Sequence, residues 1–223
     1  MISSVISLLA LSELIFPARC LGCRRLGTGI CSQCRASWHP HIYRTSIAVS
    51  GFSFPVYSAV AYSLVAQKVL LGAKESGLHD ANRLLNQALS HSLSHFYSEV
   101  GIADLVPVPS RKANTRKRGR DFMLEQTIEL SRTPTVQVRA LLSHSRKVRD
   151  QTTLNSQSRE KNLSHSMRCA NLEDSSNIPV ILIDDLVTSG ATLREAGRAL
   201  HGAGYMVIGA VTACIAKPLR YTQ

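Results

Sequence analysis

Val180-Ile-Leu-Ile183 runs without a break into Asp184-Asp185, then Leu-Val, then Thr188-Ser-Gly-Ala-Thr192 at the head of a helically patterned stretch. Four aliphatic residues in a row with no polar neighbour suit a strand covered on both faces, as in a parallel sheet. Such a strand delivers its two carboxylates at its carboxyl end, where ligands of open α/β sheets bind. Gly190 permits a tight turn in the loop that follows. The loop N–H groups and the hydroxyls of Thr188, Ser189 and Thr192 can ring an anion, and the start of a helix adds about half a positive charge. Acceptors for sugar hydroxyls therefore lie beside donors for a phosphate, the pairing that a ribose 5-phosphate presents.

Other phosphate-binding designs fit less well. An apolar strand ending in Asp-Asp also suits a Walker B element, but the chain has no Gly-Lys dipeptide, so the triphosphate cradle is missing. Gly202-Ala-Gly204 follows a helix rather than a strand and lacks the third glycine of a dinucleotide fingerprint. An ordinary capped turn needs one hydroxyl residue and has no use for two adjacent acids that repel each other.

The rest of the chain alternates in the same manner. Val56 to Tyr62 is β-rich, and Ala81, Leu84, Leu85, Ala88, Leu89, Leu93 and Phe96 recur at helical spacing from a start near Asp80. Leu105 to Val108 is a short strand, Asp121 to Arg132 a helix, Ile178 to Ile183 a buried strand, Thr192 to His201 a helix, and Tyr205 to Ile215 a strand, with Gly202 and Gly204 as the helix stop. Residues 143 to 177, rich in Ser, Asn, Arg and Gln, read as a loop or flap with at most a short helix. Alternation of this kind predicts an α/β fold with a mainly parallel sheet flanked by helices.

Ahead of that domain stand Cys20-Leu-Gly-Cys23 and, seven residues later, Cys31-Ser-Gln-Cys34. Two CxxC pairs this close can aim four thiolates at one point, which suits tetrahedral zinc. A closed site of four cysteines has no open position, so its expected role is to fold a small knuckle with little apolar core. Local disulfides or free thiols are the alternative. His39 and His41 follow, but the shell is already complete and both read as exposed polar residues. Met1 to Phe16 is fairly apolar, lacks a basic start, contains Glu13 and is too short to span a bilayer. It reads as an amphipathic or core-docking helix of a cytoplasmic protein with no transmembrane span. The apolar run Val5 to Leu11 leaves an atypical export signal as the alternative. The expected division is 1–45 for the helix and knuckle and 46–223 for the α/β domain.

The net charge of +11 is concentrated in one stretch. Residues 1–110 hold 8 Lys/Arg against 5 Asp/Glu, residues 111–168 hold 14 against 5, and residues 169–223 hold 4 against 5, giving +3, +9 and −1. A uniformly basic coat is excluded and a local demand for anions is implied. A groove for single-stranded nucleic acid interleaves basic residues with aromatic platforms, and the only aromatic between 111 and 168 is Phe122. Contact with a phosphate backbone stays open.

The segment 180–192 resembles the signature of the type I phosphoribosyltransferases, whose substrate is 5-phosphoribosyl 1-diphosphate (PRPP). Taken with Cys20/Cys23/Cys31/Cys34, Val106-Pro-Val-Pro109, Arg118-Gly119, Gln151, Leu154, Arg159 and Asn162, the chain from about Leu14 to Cys214 resembles the ComF family, which includes the GntX proteins. The resemblance implies a phosphoribosyltransferase-like fold with an N-terminal zinc knuckle. It implies that Asp184 and Asp185 face the ribose hydroxyls, help place Mg²⁺ and carry any catalysis. Thr188, Ser189, Gly190, Ala191 and Thr192 would hold the 5-phosphate. Pro109 and Ser110 would form the diphosphate turn with Arg111 and Arg118 of the basic run behind it, and Arg149, with Arg146 and Lys147, would close over as a hood. The chain departs from the family at Arg120, Asp121 and Phe122, where an aromatic, Asn and Gln usually follow Arg-Gly. It also has Thr188 where purine-using transferases often carry an Asp.

Three functions follow from these residues and this resemblance. One is a ComF-like protein that binds PRPP with Mg²⁺ and acts in DNA uptake during natural transformation, alongside a competence helicase or other uptake proteins. Another is an active phosphoribosyltransferase with an unidentified acceptor. The third is a non-catalytic module that docks single-stranded DNA or a partner, or senses PRPP.

Overall fold

A computed structural model describes residues 19–27, 29–110, 115–116, 118–131, 136–145, 165–170 and 178–216. Of the residues singled out above, Met1 to Phe16, Arg111, Arg146, Lys147, Arg149, Gln151, Leu154, Arg159 and Asn162 lie outside the described residues. Contacts divide the chain into two compact units, each discontinuous in sequence: Met1–His39 with Tyr62–Leu85, and Pro40–Ala61 with Asn86–Gln223. Tyr62–Leu85 thus groups with the cysteine module and not with the sheet.

In the first unit the backbone closes a tight turn on Cys20, whose N–H donates to the Arg25 carbonyl at 2.8 Å while its carbonyl accepts from Arg24 at 2.9 Å. A short helix, α1 (Ser32–Ser37), leaves directly from Cys31. Helix α2 (Leu64–Lys74) starts at Ser63, whose hydroxyl caps the Ala66 N–H at 3.1 Å, and it buries Ala66, Val69, Leu70 and Ala73 at helical spacing. Its Gly72 lets it approach the head of helix α3 (His79–Glu99), since a Cβ there would already stand 3.3 Å from the Ala81 Cβ.

The second unit is built on a five-stranded mixed sheet. Strands β1 (Tyr43–Val49) and β2 (Phe52–Ala61) form an antiparallel hairpin, and β2, β3 (Asp104–Pro107), β6 (Pro179–Val187) and β7 (Met206–Ile215) run parallel in the spatial order β1-β2-β7-β6-β3. The hairpin turns through Ser50-Gly51, with Gly51 at φ 87°. The alternation of β and α therefore gives the expected α/β sheet, with one antiparallel edge that the sequence pattern does not reveal. On one face, helix α5 (Ala191–His201) packs Leu193, Ala196 and Leu200 into a core with Phe54, Val56, Leu182 and Val207. On the other lies the second half of α3, where the Ser92 hydroxyl donates to the Thr212 carbonyl at 3.0 Å and Phe96 fills the space a side chain at Gly209 would need. Helix α4 (Phe122–Leu130) starts from Asp121, whose carboxylate caps the Leu124 N–H.

The stretch expected to be a loop overlaps two short strands, β4 (Leu142–His144) and β5 (Met167–Cys169), paired antiparallel as a separate small sheet. Three-residue strands carry too little pattern to be read from sequence. β5 is tied to α5 by Glu195, which is 5% exposed: its Oε1 accepts the Met167 N–H at 2.9 Å, while Arg198 bonds both Glu195 and the Met167 carbonyl. Burial opposes ionisation of Glu195, but the Arg198 guanidinium and the Met167 N–H outweigh it and hold the carboxyl below its ordinary value. A depressed folded-state pKa gives stability that is present above the unfolded value, about 4.3, and is lost as pH falls through the folded one. Glu195→Gln is therefore expected to lower stability by about 1–3 kcal/mol at neutral pH, and to flatten the decline of the urea midpoint below about pH 4.3. A variant with the same acid slope as the unsubstituted protein would contradict this assignment.

Candidate functional site

Strands β3 and β6 are parallel neighbours, with Pro107 paired to Ile183. Their carboxyl ends are held together one residue further on, where the Val108 N–H donates to the Ile183 carbonyl at 2.9 Å. The turn bearing Pro109 and Ser110 and the segment from Asp184 to Thr192 are thereby brought side by side, although 74 residues separate Pro109 from Asp184 in the chain. Asp184 and Asp185 are 8% and 5% exposed. The strand does not stop before them, as the sequence suggests, but continues to Val187. Side chains of consecutive strand residues project to opposite faces, so the two carboxylates avoid the head-on repulsion their adjacency implies. Asp184 also takes up the Asp185 N–H, at 2.9 Å, on its own Oδ1.

Beyond the strand, Gly190 occupies the position before α5 with φ 73°, the left-handed region. A Cβ there would also overlap the Cδ1 of Ile47, which is 2% exposed. Two separate constraints therefore require glycine at this point. The N-cap of α5 is glycine and has no side chain to cap it, and the N–H groups of the first turn have no acceptor within the helix. Thr188, Ser189 and Thr192 are half-buried around it. The arrangement can hold an anion with backbone donors and a helix dipole.

Next to the Pro109–Ser110 turn is a cavity of about 270 Å³, lined by Pro109, Ser110, Thr115, Arg116, Asp121, Leu142, Ser143 and His144. His144 lies with Nε2 3.2 Å from the Pro109 carbonyl, which ties β4 to the turn. Sequence reasoning missed Ser143 and His144, because their strand sits in a stretch of weak periodicity. Arg118 is half-buried in the basic run, and Gly119 beside it is left-handed at φ 70°. Arg120, where the chain departs from the family pattern, pairs with Glu125 at 2.6 Å and lies over the Phe122 ring. Its charge is thus committed to the first turn of α4.

In the first unit, the sulfurs of Cys20, Cys23, Cys31 and Cys34 all lie within 4.8 Å of one another, a group that could hold a metal ion such as zinc. The Cys23 and Cys31 sulfurs are 3.6 Å apart, and tetrahedral zinc with bonds of about 2.3 Å sets sulfurs roughly 3.8 Å apart. Three of the four are buried, and all are free thiols. Burial raises the Cys20 pKa, but N–H groups of Cys23, Cys31 and Gly22 and the Cys31 thiol more than reverse this and hold it down to about 6. Burial and the neighbouring thiols push Cys34 up to about 12. One thiolate is therefore ready for a cation while another waits for a charge to replace its proton. Gly22 is required inside the first CxxC, because a Cβ would stand 2.5 Å from the Cys34 sulfur. His39 and His41 are exposed, as expected.

Among the described residues no helix is long and apolar enough to cross a membrane. No curated protein matches the chain. The phosphoribosyl transferase domain matches residues 66–222. That span takes in β3, α4, β6, α5 and β7 and every described residue of the two turns that meet at the ends of β3 and β6, and on it the chain belongs to the phosphoribosyl transferase domain family.

Proposed function

We propose that this chain binds PRPP with Mg²⁺ between the 184–192 loop and the Pro109–Ser110 turn, as a ComF-like protein of DNA uptake. The observation that carries the reading is the meeting of two turns at the ends of adjacent parallel strands, beside a helix whose N-cap is glycine. In this reading the first turn of α5 and the hydroxyls of Thr188, Ser189 and Thr192 take the 5-phosphate, and the Asp184–Asp185 segment of β6 offers a carboxylate to the ribose hydroxyls, the two side chains standing on opposite faces of the strand. Buried carboxylate oxygens are the hard donors that Mg²⁺ prefers, so the same segment fits the ion. Mg²⁺ supplies charge neutralisation for the diphosphate. The basic stretch behind Ser110, with Arg116 on the cavity wall, adds further donors. The four cysteines take zinc as a closed structural site. With an acceptor present, the C1–O bond to diphosphate breaks, the acceptor bonds to C1 and loses its proton, and diphosphate departs with the electron pair. No base-recognition segment identifies that acceptor.

Competence and a cytoplasmic setting rest on the ComF resemblance, and the +9 charge of residues 111–168 supports contact with a DNA phosphate backbone. Calorimetric titration with PRPP is expected to show saturable binding only when Mg²⁺ is present. Binding should weaken by about 100-fold or more in Asp184→Asn/Asp185→Asn, since each buried charged acceptor contributes roughly 1.5–3 kcal/mol, with zinc content unchanged. Absence of binding by the unsubstituted protein would sink the reading. In the same series, single-stranded DNA affinity should fall steeply with salt, and a flat dependence would remove DNA from it.

A further inference from the structure

Helix α3 carries two histidines that the site above does not use. His91 and His95 are one turn apart, the i,i+4 spacing that places side chains on one helix face. Their ring centres lie 4.5 Å apart with planes at 62°. Both are half-buried in the interior of a 21-residue helix, whose Leu89, Leu93 and Phe96 are in the core. The two side chains are therefore carried by rigid helical backbone and not by a loop.

The ring chemistry points the same way. His95 Nδ1 is 3.0 Å from the His91 carbonyl oxygen. A carbonyl can only accept, so Nδ1 bears the hydrogen, and a neutral His95 has its lone pair on Nε2. Imidazoles that ligate metals are commonly oriented this way, one nitrogen donating to a backbone carbonyl and the other directed at the ion. Burial, and then the neighbouring His95, holds the His91 pKa below the ordinary histidine value, so at neutral pH protons compete weakly for its lone pair.

We propose that His91 and His95 form a two-imidazole site for a borderline divalent transition metal of the Ni²⁺ and Cu²⁺ class, separate from the cysteine cluster. A metal–nitrogen bond of about 2.1 Å puts each ring centre roughly 3.2 Å from the ion, so two rings bound at about 90° have centres about 4.5 Å apart. That matches the observed spacing. Glu99, one turn beyond His95, adds no third ligand, because Arg44 and Tyr57 already take up its two carboxylate oxygens. The remaining coordination positions fall to water, and imidazole ligands favour Cu²⁺ over Ni²⁺, while the four thiolates favour zinc.

The test is calorimetric titration of the zinc-loaded full chain with Ni²⁺ near neutral pH. A single additional equivalent is expected to bind, with affinity falling about tenfold or more in His91→Gln and in His95→Gln, and unchanged in His39→Gln/His41→Gln. Glutamine is a good helix former, and the melting temperature of the metal-free variants checks that α3 survives. As an independent reading, Ni²⁺ should raise the melting temperature of the unsubstituted protein by mass action and leave that of the two variants unmoved. With one equivalent of Cu²⁺, electron paramagnetic resonance should show coupling to two imidazole nitrogens. Ni²⁺ affinity that is absent in the unsubstituted protein, or equal in the variants, would overturn the site.

Discussion

Replacing Cys31 and Cys34 by serine is expected to strip zinc from the cysteine module and unfold it. Within 19–39 the described chain has a six-residue helix and few buried apolar residues of its own, chiefly Leu21, Ile30 and Trp38, so apart from its packing on α2 little burial is left to hold that stretch without an ion. Zinc bound by structural sites of this kind contributes about 10–16 kcal/mol in apparent binding free energy, as much as the whole stability of a typical domain, about 5–15 kcal/mol. The neutral, buried Cys34 thiol beside an ionised Cys20 also needs a cation to make ionisation of all four favourable. Trp38 is the only tryptophan of the chain and is 1% exposed. Its emission therefore reports on this module, and should move to the red on chelation and in the double variant, while metal analysis falls from about one zinc per chain to none. A variant that keeps its zinc, or an unsubstituted protein prepared without chelator that has none, would reject the knuckle.

Gly190→Ala is expected to have the largest effect of any single substitution in the phosphate-facing loop. An L residue at φ 73° costs about 1–2 kcal/mol, and overpacking against the Ile47 side chain adds about 1–3 kcal/mol. Because the strain falls at the head of α5, PRPP affinity should drop along with the urea midpoint. The two causes separate in a double-mutant cycle. Ile47→Val removes the Cδ1 that the new methyl meets and by itself costs about 0.5–1.5 kcal/mol. In the Gly190→Ala background it should instead cost nothing or restore stability, leaving only the backbone part. Simple additivity of the two substitutions would show that Ile47 does not constrain the loop.

What could be read in advance depended on how locally each feature is specified. The buried strand β6, the helix after it and the CxxC pairs are written in contiguous residues, and so is the start of α4 at Asp121. The extension of β6 through Asp184 and Asp185 was not legible, because two adjacent acids read as the end of a strand when the cover on its two faces is unknown. The β1 strand is not legible for a related reason: its inward residues other than Ile47 are only half-buried, and pairing with β2 makes it a strand.

The sequence by itself determined the α/β alternation, the four-cysteine group and the Asp-Asp loop with its glycine, since each rests on spacing along the chain. Tertiary structure alone decided that the Pro109–Ser110 turn stands beside that loop, that Ile47 forbids a side chain at Gly190, and that Glu195 clamps β5. It also decided that His91 and His95 face each other with one tautomer fixed. The first three depend on strand register and packing between residues far apart in the chain, which local patterning does not encode. The last depends on side-chain rotamers, which a spacing of four residues permits but does not choose.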